Sequence, residues 1–243
     1  MPRPPGQRFD RLDALRGLAI VWMALFHFGF DLNHFGLMQP VQNFHHDPFW
    51  TTQRTIIVSL FLFCAGIGQA AAYEAHQSWP RFWRRWAQVA GSALLVSLGS
   101  AAMFPRSWIF FGVLHGLAVM LIVARLAAPL GGWLWPLGAV AIALPFWVQH
   151  PFFDGRFVNW LGLVTRKPIT EDYVPVLPWL GVMLWGVAAG RWLLRHRRDW
   201  LVGAVPRALR PMAGLGRWSL TFYMLHQPVL MGALLGGRAL GLW

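Results

Sequence analysis

Residues Leu12–Phe30 read LDALRGLAIVWMALFHFGF, an apolar run interrupted only by Asp13, Arg16 and His27. A helix crossing a bilayer needs about 20 mostly apolar residues, so this run is long enough. Basic residues precede it, as in a secretory leader. Asp31-Leu32-Asn33-His34 follows it, however, and no small-residue cleavage pattern is present, so the segment is expected to stay in the protein as a helix. Six more runs have the same character: Thr55–Tyr73, Trp86–Met103, Trp108–Ala127, Gly132–Val148, Val176–Leu194 and Trp218–Leu235. The expected fold class is therefore all-α. It is a polytopic transmembrane helix bundle of about seven spans, and residues 1–243 form a single domain with no room for a soluble one.

Composition agrees. The chain is 56% hydrophobic and 12% charged, whereas soluble domains run at about 45–50% and about 25%. These values exclude a disordered chain, a coiled coil and an ordinary cytosolic enzyme. The formal charge of +12 raises the question of nucleic acid. Yet the basic residues fall between apolar runs, where they report membrane orientation instead. With the N-terminus inside, the inner segments carry 14 Lys/Arg, from Arg3, Arg8 and Arg11 to Arg217, and the outer segments carry 6. This bias predicts a cytoplasmic N-terminus, and seven spans then put the C-terminus outside. The polar inner stretch 195–214 is expected to lie along the cytoplasmic surface. Cys64, the sole cysteine, sits in an apolar run and reads as a core residue.

Ionisable side chains inside a span are costly, and each is a functional hypothesis by default. At 100° per residue, Asp13, Arg16, His27 and Asp31 share one stripe about 60° wide on the first helix. That stripe must face protein or water. The plainer alternative for Asp13 and Arg16 is an i, i+3 ion pair that anchors the helix. The last span repeats the pattern with Ser219, Tyr223 and His226, and Gln227 lies four residues after Tyr223. Pro228 frees a backbone carbonyl one turn earlier, beside these polar groups. Simple interhelical hydrogen bonding is the alternative there. His115 is a further histidine inside a span. Asp172 opens the sixth span, where a carboxylate also serves as a helix cap. His45-His46-Asp47 has no zinc-site spacing, and no metal is expected.

Several stretches together resemble a known family. They are Arg8-Phe9-Asp10-Arg11-Leu12-Asp13-Ala14-Leu15-Arg16-Gly17 running on to His27, Phe63-Cys64-Ala65-Gly66, Phe111-Gly112-Val113-Leu114-His115, Asp172 to Trp179, and Leu215-Gly216-Arg217-Trp218-Ser219-Leu220 running to His226-Gln227-Pro228. In order, they are similar to the bacterial membrane proteins related to heparan-α-glucosaminide N-acetyltransferase. The spacing from Arg16 to His27 also resembles the signature of polysaccharide O-acyltransferases. The resemblance implies transfer of an acyl group from cytoplasmic acyl-CoA, acetyl-CoA in the first instance, to a sugar or glycan across the lipid bilayer. It further implies that His27 is the catalytic candidate and that Arg16 belongs to the donor site. The chain is far shorter than the eukaryotic enzyme, which leaves the acceptor open between an amine and a hydroxyl.

The residues support acyl transfer without the family. The reaction needs a base for the acceptor and a polarised thioester carbonyl. His27 suits the first role, and Asp31 one turn away could fix its tautomer. Arg16, steadied by Asp13, suits a phosphate-bearing donor. His115, Asp172, Tyr223, His226 and Gln227 are the candidates for substrate binding or carbonyl polarisation. Arg16 and His27 stand about 16.5 Å apart along the helix. An extended pantetheine arm of about 13 bonds covers about 16 Å. A proton-coupled transporter is the competing class, since buried Asp, His and Arg also form proton relays. Self-association into a homo-oligomer is left open, and no nucleic-acid partner is expected.

Overall fold

Helix α1 runs Asp10–His34, past the Phe30 limit that hydropathy suggests. What ends it is backbone geometry. Gly36 adopts φ +74, Leu37 N–H donates to the Leu32 carbonyl at 2.9 Å and Gly36 N–H to that of Asn33 at 3.1 Å. These two bonds satisfy carbonyls that the helix terminus would leave open, with glycine at the left-handed position. Helix α2, Pro48–Glu74, starts where the Asp47 carboxylate accepts the Phe49 N–H at 2.8 Å and Pro48 takes the first helical position. The computed structural model describes residues 9–243. Arg3 and Arg8, counted above among the inner basic residues, lie outside the described residues.

The remaining helices are α3 (Trp79–Met103), α4 (Val113–Ala127), α5 (Leu134–Trp147), α6 (Val176–His196), the single turn α7 (Asp199–Val202), α8 (Arg210–Arg217) and α9 (Ser219–Ala239). Among the described residues, the only strand-like pairing is one isolated bridge between Phe111 and Tyr173. Five segments are long and apolar enough to cross a membrane: Asp10–His34, Pro48–Glu74, Trp79–Met103, Val113–Trp147 and Val176–His196. The described residues divide into two compact units, residues 62–200 and residues 9–61 with 201–243, the boundary falling inside α2.

In the first unit α6 is the hub. Its glycines let backbones meet: a methyl group on Gly186 would strike the Phe63 carbonyl of α2, and one on Gly181 the Gly138 carbonyl of α5. Small residues at such crossings allow the close packing that apolar surroundings alone do not drive. The 35-residue apolar segment Val113–Trp147 is not one rod. A 3-10 turn over Ala128–Trp133, with Gly131 at φ +61, reverses the chain. Helix α4 then runs with α6, from Gly116 beside Val174 to Ala128 beside Arg191, and α5 runs against it, with Trp185 donating to the Trp135 carbonyl at 2.9 Å. Helix α3 returns against α4, its Trp86 donating to the Ala118 carbonyl at 2.9 Å.

One end of this unit gathers Glu74, Gln77, Arg125, Ala128, Arg191 and Arg195 through direct contacts. The opposite end gathers the 104–112 and 148–175 connections, with Glu171 N–H on the Ser107 carbonyl at 2.8 Å and Thr170 on that of Trp108 at 2.9 Å. Leu94, Leu95 and Leu98 on α3 are each more than 60% exposed, an apolar outer face of the kind lipid covers.

In the second unit α8 lies antiparallel on the start of α1. A methyl group on Gly17 would meet the Met212 backbone, and one on Gly216 the Asp13 carbonyl. The stretch 195–214, expected along the membrane surface, therefore ends in a helix packed on α1. Helix α9 then follows α1 in the reverse sense to α8.

Candidate functional site

Because α1 is unbroken, its stripe holds. At the lower end Arg16 Nη1 meets Asp13 Oδ1 at 3.2 Å, the i, i+3 pair that the spacing allows. Close approach of α8 adds a second arginine. Arg217 Nη2 lies 2.9 Å from Asp10 Oδ1, and Arg217 Nε lies 3.9 Å from Asp13 Oδ2. Two guanidinium groups and two carboxylates thus share this end. In the sequence Arg217 counts as an inner basic residue and as part of a family-like stretch, with no place among the site residues. Its position after Gly216, the residue that lets α8 touch α1, is the signal that marks it out.

At the upper end α1 and α9 bring four predicted residues together. Asp31 is only 2% exposed. Its two oxygens both accept from Gln227 Nε2, at 2.9 and 3.1 Å. The partner of Asp31 is therefore Gln227, and no Asp31–His27 hydrogen bond forms. His226 Nδ1 lies 2.6 Å from the Tyr223 carbonyl. A carbonyl can only accept, so Nδ1 carries the proton and Nε2 keeps its lone pair. The rings of His27 and His226 are 5.2 Å apart between centroids and tilted by 55°. Phe26 meets the His27 ring edge-on, and Phe222 lies parallel to that of His226.

Two atoms in this cluster are buried without a partner: His226 Nε2 and Gln227 Oε1. Both are acceptors. The amide orientation of Gln227 follows from Asp31, because a carboxylate needs the NH₂ side. Buried polar atoms are otherwise almost always hydrogen-bonded, so these two acceptors, on consecutive residues of α9, mark a candidate binding point. Those orphans can take hydrogens from a substrate N–H or O–H. They cannot donate to a carbonyl oxygen.

Above this pair a cleft of about 380 Å³ opens beside Phe30, His34, Gln42, Phe44 and His45. Its wall is rigid. Asn33 and Gln42 exchange hydrogen bonds at 3.0 and 2.7 Å, Trp50 donates to Gln42 at 3.2 Å, and Phe44 stacks on Trp50 at 3.9 Å.

His115 and Asp172 fall in the other unit and have structural partners there. His115 Nδ1 accepts the Gly112 N–H at 3.2 Å, which puts the ring proton on Nε2, 3.0 Å from Ser97 Oγ. Asp172 accepts the Val113 N–H at 2.8 Å. It therefore caps α4, and not the sixth span that it precedes in sequence. Ser219 begins α9.

The fold is that of a multi-pass helical membrane protein, with a buried polar cluster where α1 meets α9. The chain belongs to the family of the heparan-α-glucosaminide N-acetyltransferase catalytic domain, whose profile matches residues 8–228. Comparison with curated proteins and with solved structures returns no match. The matched span contains every residue of the cluster described above, and membrane N-acetyltransferase chemistry is the family's type.

Proposed function

We propose that the protein transfers an acyl group, acetyl in the first instance, from CoA on the cytoplasmic side to an amine or hydroxyl of a sugar on the other side. The observation that carries the reading is the His27–His226 pair beside two unpartnered acceptors on α9, with His27 on the same α1 stripe as Arg16. Arg16 and Arg217 would hold the donor's phosphates, with Asp13 and Asp10 fixing the guanidinium planes. The acceptor sugar would lie in the cleft of Phe30 and Phe44, its amine or hydroxyl reaching down to the histidines.

In the step itself, the acceptor nitrogen or oxygen attacks the thioester carbonyl carbon and His27 takes its proton. The C–S bond breaks, and the CoA sulfur leaves as thiolate and recovers that proton. His226 Nε2 and Gln227 Oε1 would accept hydrogens from the remaining N–H of an amine or from sugar hydroxyls beside the reacting atom, and so aim its lone pair. Asp31 acts through Gln227. It is a positioning residue in this scheme, and His115 and Asp172 have no part in it.

The proposed topology has seven passes, with the N-terminus inside. Support for the passes comes from the five apolar segments, the reversal at Gly131 within Val113–Trp147, and α9, and support for the orientation from the Lys/Arg bias. The test is acetyl-CoA turnover by the purified full chain against a panel of amino sugars. Thiol release dependent on one sugar, with the acylated sugar as product, supports the reading. Flux of a solute without thiol release overturns it in favour of a transporter.

A further inference from the structure

In the unit of residues 62–200, the two connections at the Asp172 end enclose a second pocket, of about 320 Å³, remote in sequence from the α1–α9 cluster. Arg106 and Trp108 come from the α3–α4 connection, and Asp154, Arg156, Asn159 and Ile169 from the α5–α6 connection. The two connections are tied by the Thr170–Trp108 and Glu171–Ser107 hydrogen bonds described above, so the walls are fixed relative to each other.

Three features of the pocket point to one chemistry. First, it holds two guanidinium groups, and among the described residues neither Arg106 nor Arg156 pairs with a carboxylate. Arg156 lies over the Trp108 ring at 4.7 Å and 5.8 Å from the Phe110 centroid. Stacking of this kind covers the flat face of the guanidinium and leaves its N–H edge to meet an oxyanion. The carboxylate in the pocket, Asp154, is engaged elsewhere. It accepts from Thr165 N–H at 2.7 Å, Thr165 Oγ1 at 2.5 Å and Arg166 N–H at 3.3 Å, so it shapes its own loop, and the pocket keeps an excess of positive charge.

Second, Asn159 is 2% exposed and its side-chain Oδ1 is buried with no partner. Its backbone is held on both sides, the N–H on Gly155 and the carbonyl accepting Tyr173 Oη at 2.6 Å. Buried polar atoms are almost always hydrogen-bonded, so this orphan acceptor suits a donor from a ligand. A fully deprotonated anion has none. An anion with a hydroxyl nearby does.

Third, Ile169 is 85% exposed, and Phe157 and Phe152 in the same connection are 92% and 65% exposed. Apolar side chains that project from one end of a membrane bundle sit at the level of the lipid headgroups.

We infer that this pocket binds a phosphate ester that carries a neighbouring hydroxyl group, Arg106 and Arg156 taking the phosphate and Asn159 the hydroxyl. A glycerophospholipid headgroup with free hydroxyls and a soluble polyol phosphate share this chemistry. The site is independent of acyl transfer, so it stands or falls apart from the proposed function.

The experiment uses the full chain, as wild type and as Arg106→Gln, Arg156→Gln and Asn159→Leu. One arm reads retention of phosphatidylglycerol against phosphatidylcholine by native mass spectrometry from nanodiscs that contain both. The other titrates glycerol 1-phosphate into detergent-purified protein and reads the thermal midpoint. Each arginine variant should weaken binding by about tenfold or more, the scale of a lost charge-assisted hydrogen bond. Asn159→Leu should weaken glycerol 1-phosphate while leaving inorganic phosphate unchanged. Selective lipid retention without a soluble-ester response identifies the headgroup as the ligand, and a soluble-ester response identifies the free ester. Either supports the site. No selectivity in either arm, or equal binding by wild type and all three variants, overturns it. A wild-type gel-filtration profile and an unchanged thermal midpoint of each variant without added ligand serve as the control for folding.

Discussion

Replacing Gln227 by leucine removes the amide that donates to both oxygens of Asp31, at 2.9 and 3.1 Å, while keeping volume and helix propensity nearly constant. Asp31 is 2% exposed, so water cannot replace the lost bond without opening the α1–α9 contact. A hydrogen bond to a charged group contributes about 1.5–3 kcal/mol, and a buried group left without it loses stability on that scale. At about 2–4 °C per kcal/mol for a chain of this size, the apparent thermal midpoint in detergent should fall by about 3–12 °C. Stability alone does not separate this contact from general packing, so the measurement is a double-mutant cycle with Asp31→Asn. If the two side chains act on each other, the double variant should be less destabilised than the sum of the singles by at least about 1 kcal/mol. Because Gln227 neighbours His226, the leucine variant should also lower kcat for transfer more than it raises the KM for acetyl-CoA. Additive effects in the cycle, or wild-type midpoint and turnover in Gln227→Leu, would refute the coupling of α1 to α9 through this pair.

Four further outcomes are expected. His27→Ala should keep acetyl-CoA affinity within a few-fold while transfer drops by about 10²–10⁴, the usual scale for a general base, whereas Arg16→Ala should weaken donor binding itself; calorimetric titration beside turnover checks both. Gly17→Val should give a poorly folded protein, since even a single methyl group there meets the Met212 backbone, and loss of the monodisperse peak on gel filtration reads it. A reporter fused to the C-terminus should read as non-cytoplasmic; a cytoplasmic signal would mean an even number of passes. Hydrogen bonds from Thr165 hold the Asp154 carboxyl below its ordinary value of 3.8. The stability this lends the 154–166 loop is fully present above that value and is lost only as pH falls through the lower one. Protease susceptibility of the loop should therefore stay flat from pH 7 to about 5 and rise below about 4, and Thr165→Val should make the loop more susceptible at neutral pH too.

Much of the fold was readable from hydropathy, because the bilayer imposes a length on each apolar run that a soluble core does not. The polar stripe on α1 was readable for a related reason: in an unbroken helix, angle follows from residue number. Helix ends were less accessible. Asp31, Asn33 and His34 look like a loop by polarity, yet they are helical up to the glycine-closed terminus at Gly36. Partners across helices were not readable at all. Asp172 precedes α6 in the chain but caps α4, because the Phe111–Tyr173 bridge brings it to that N-terminus. His115 shares the composition of a catalytic histidine, and only its bonds to Gly112 and Ser97 reveal a structural employment.

The sequence by itself determined an all-helical membrane protein, the family, and the line of Asp13, Arg16, His27 and Asp31 along one face. These follow from periodicity, hydropathy and motif order, which are properties of neighbours along the chain. Tertiary structure decided which of those groups meet: Arg217 joining Asp10 and Asp13, Gln227 rather than His27 on Asp31, and His226 with its proton held on Nδ1 and its Nε2 buried without a partner. It also decided that Arg156 and Asn159, ordinary loop residues in the sequence, line one pocket. The physical reason is that a buried hydrogen bond depends on distance and direction at the ångström scale, set by glycine contacts such as Gly17 on Met212 that local sequence does not encode.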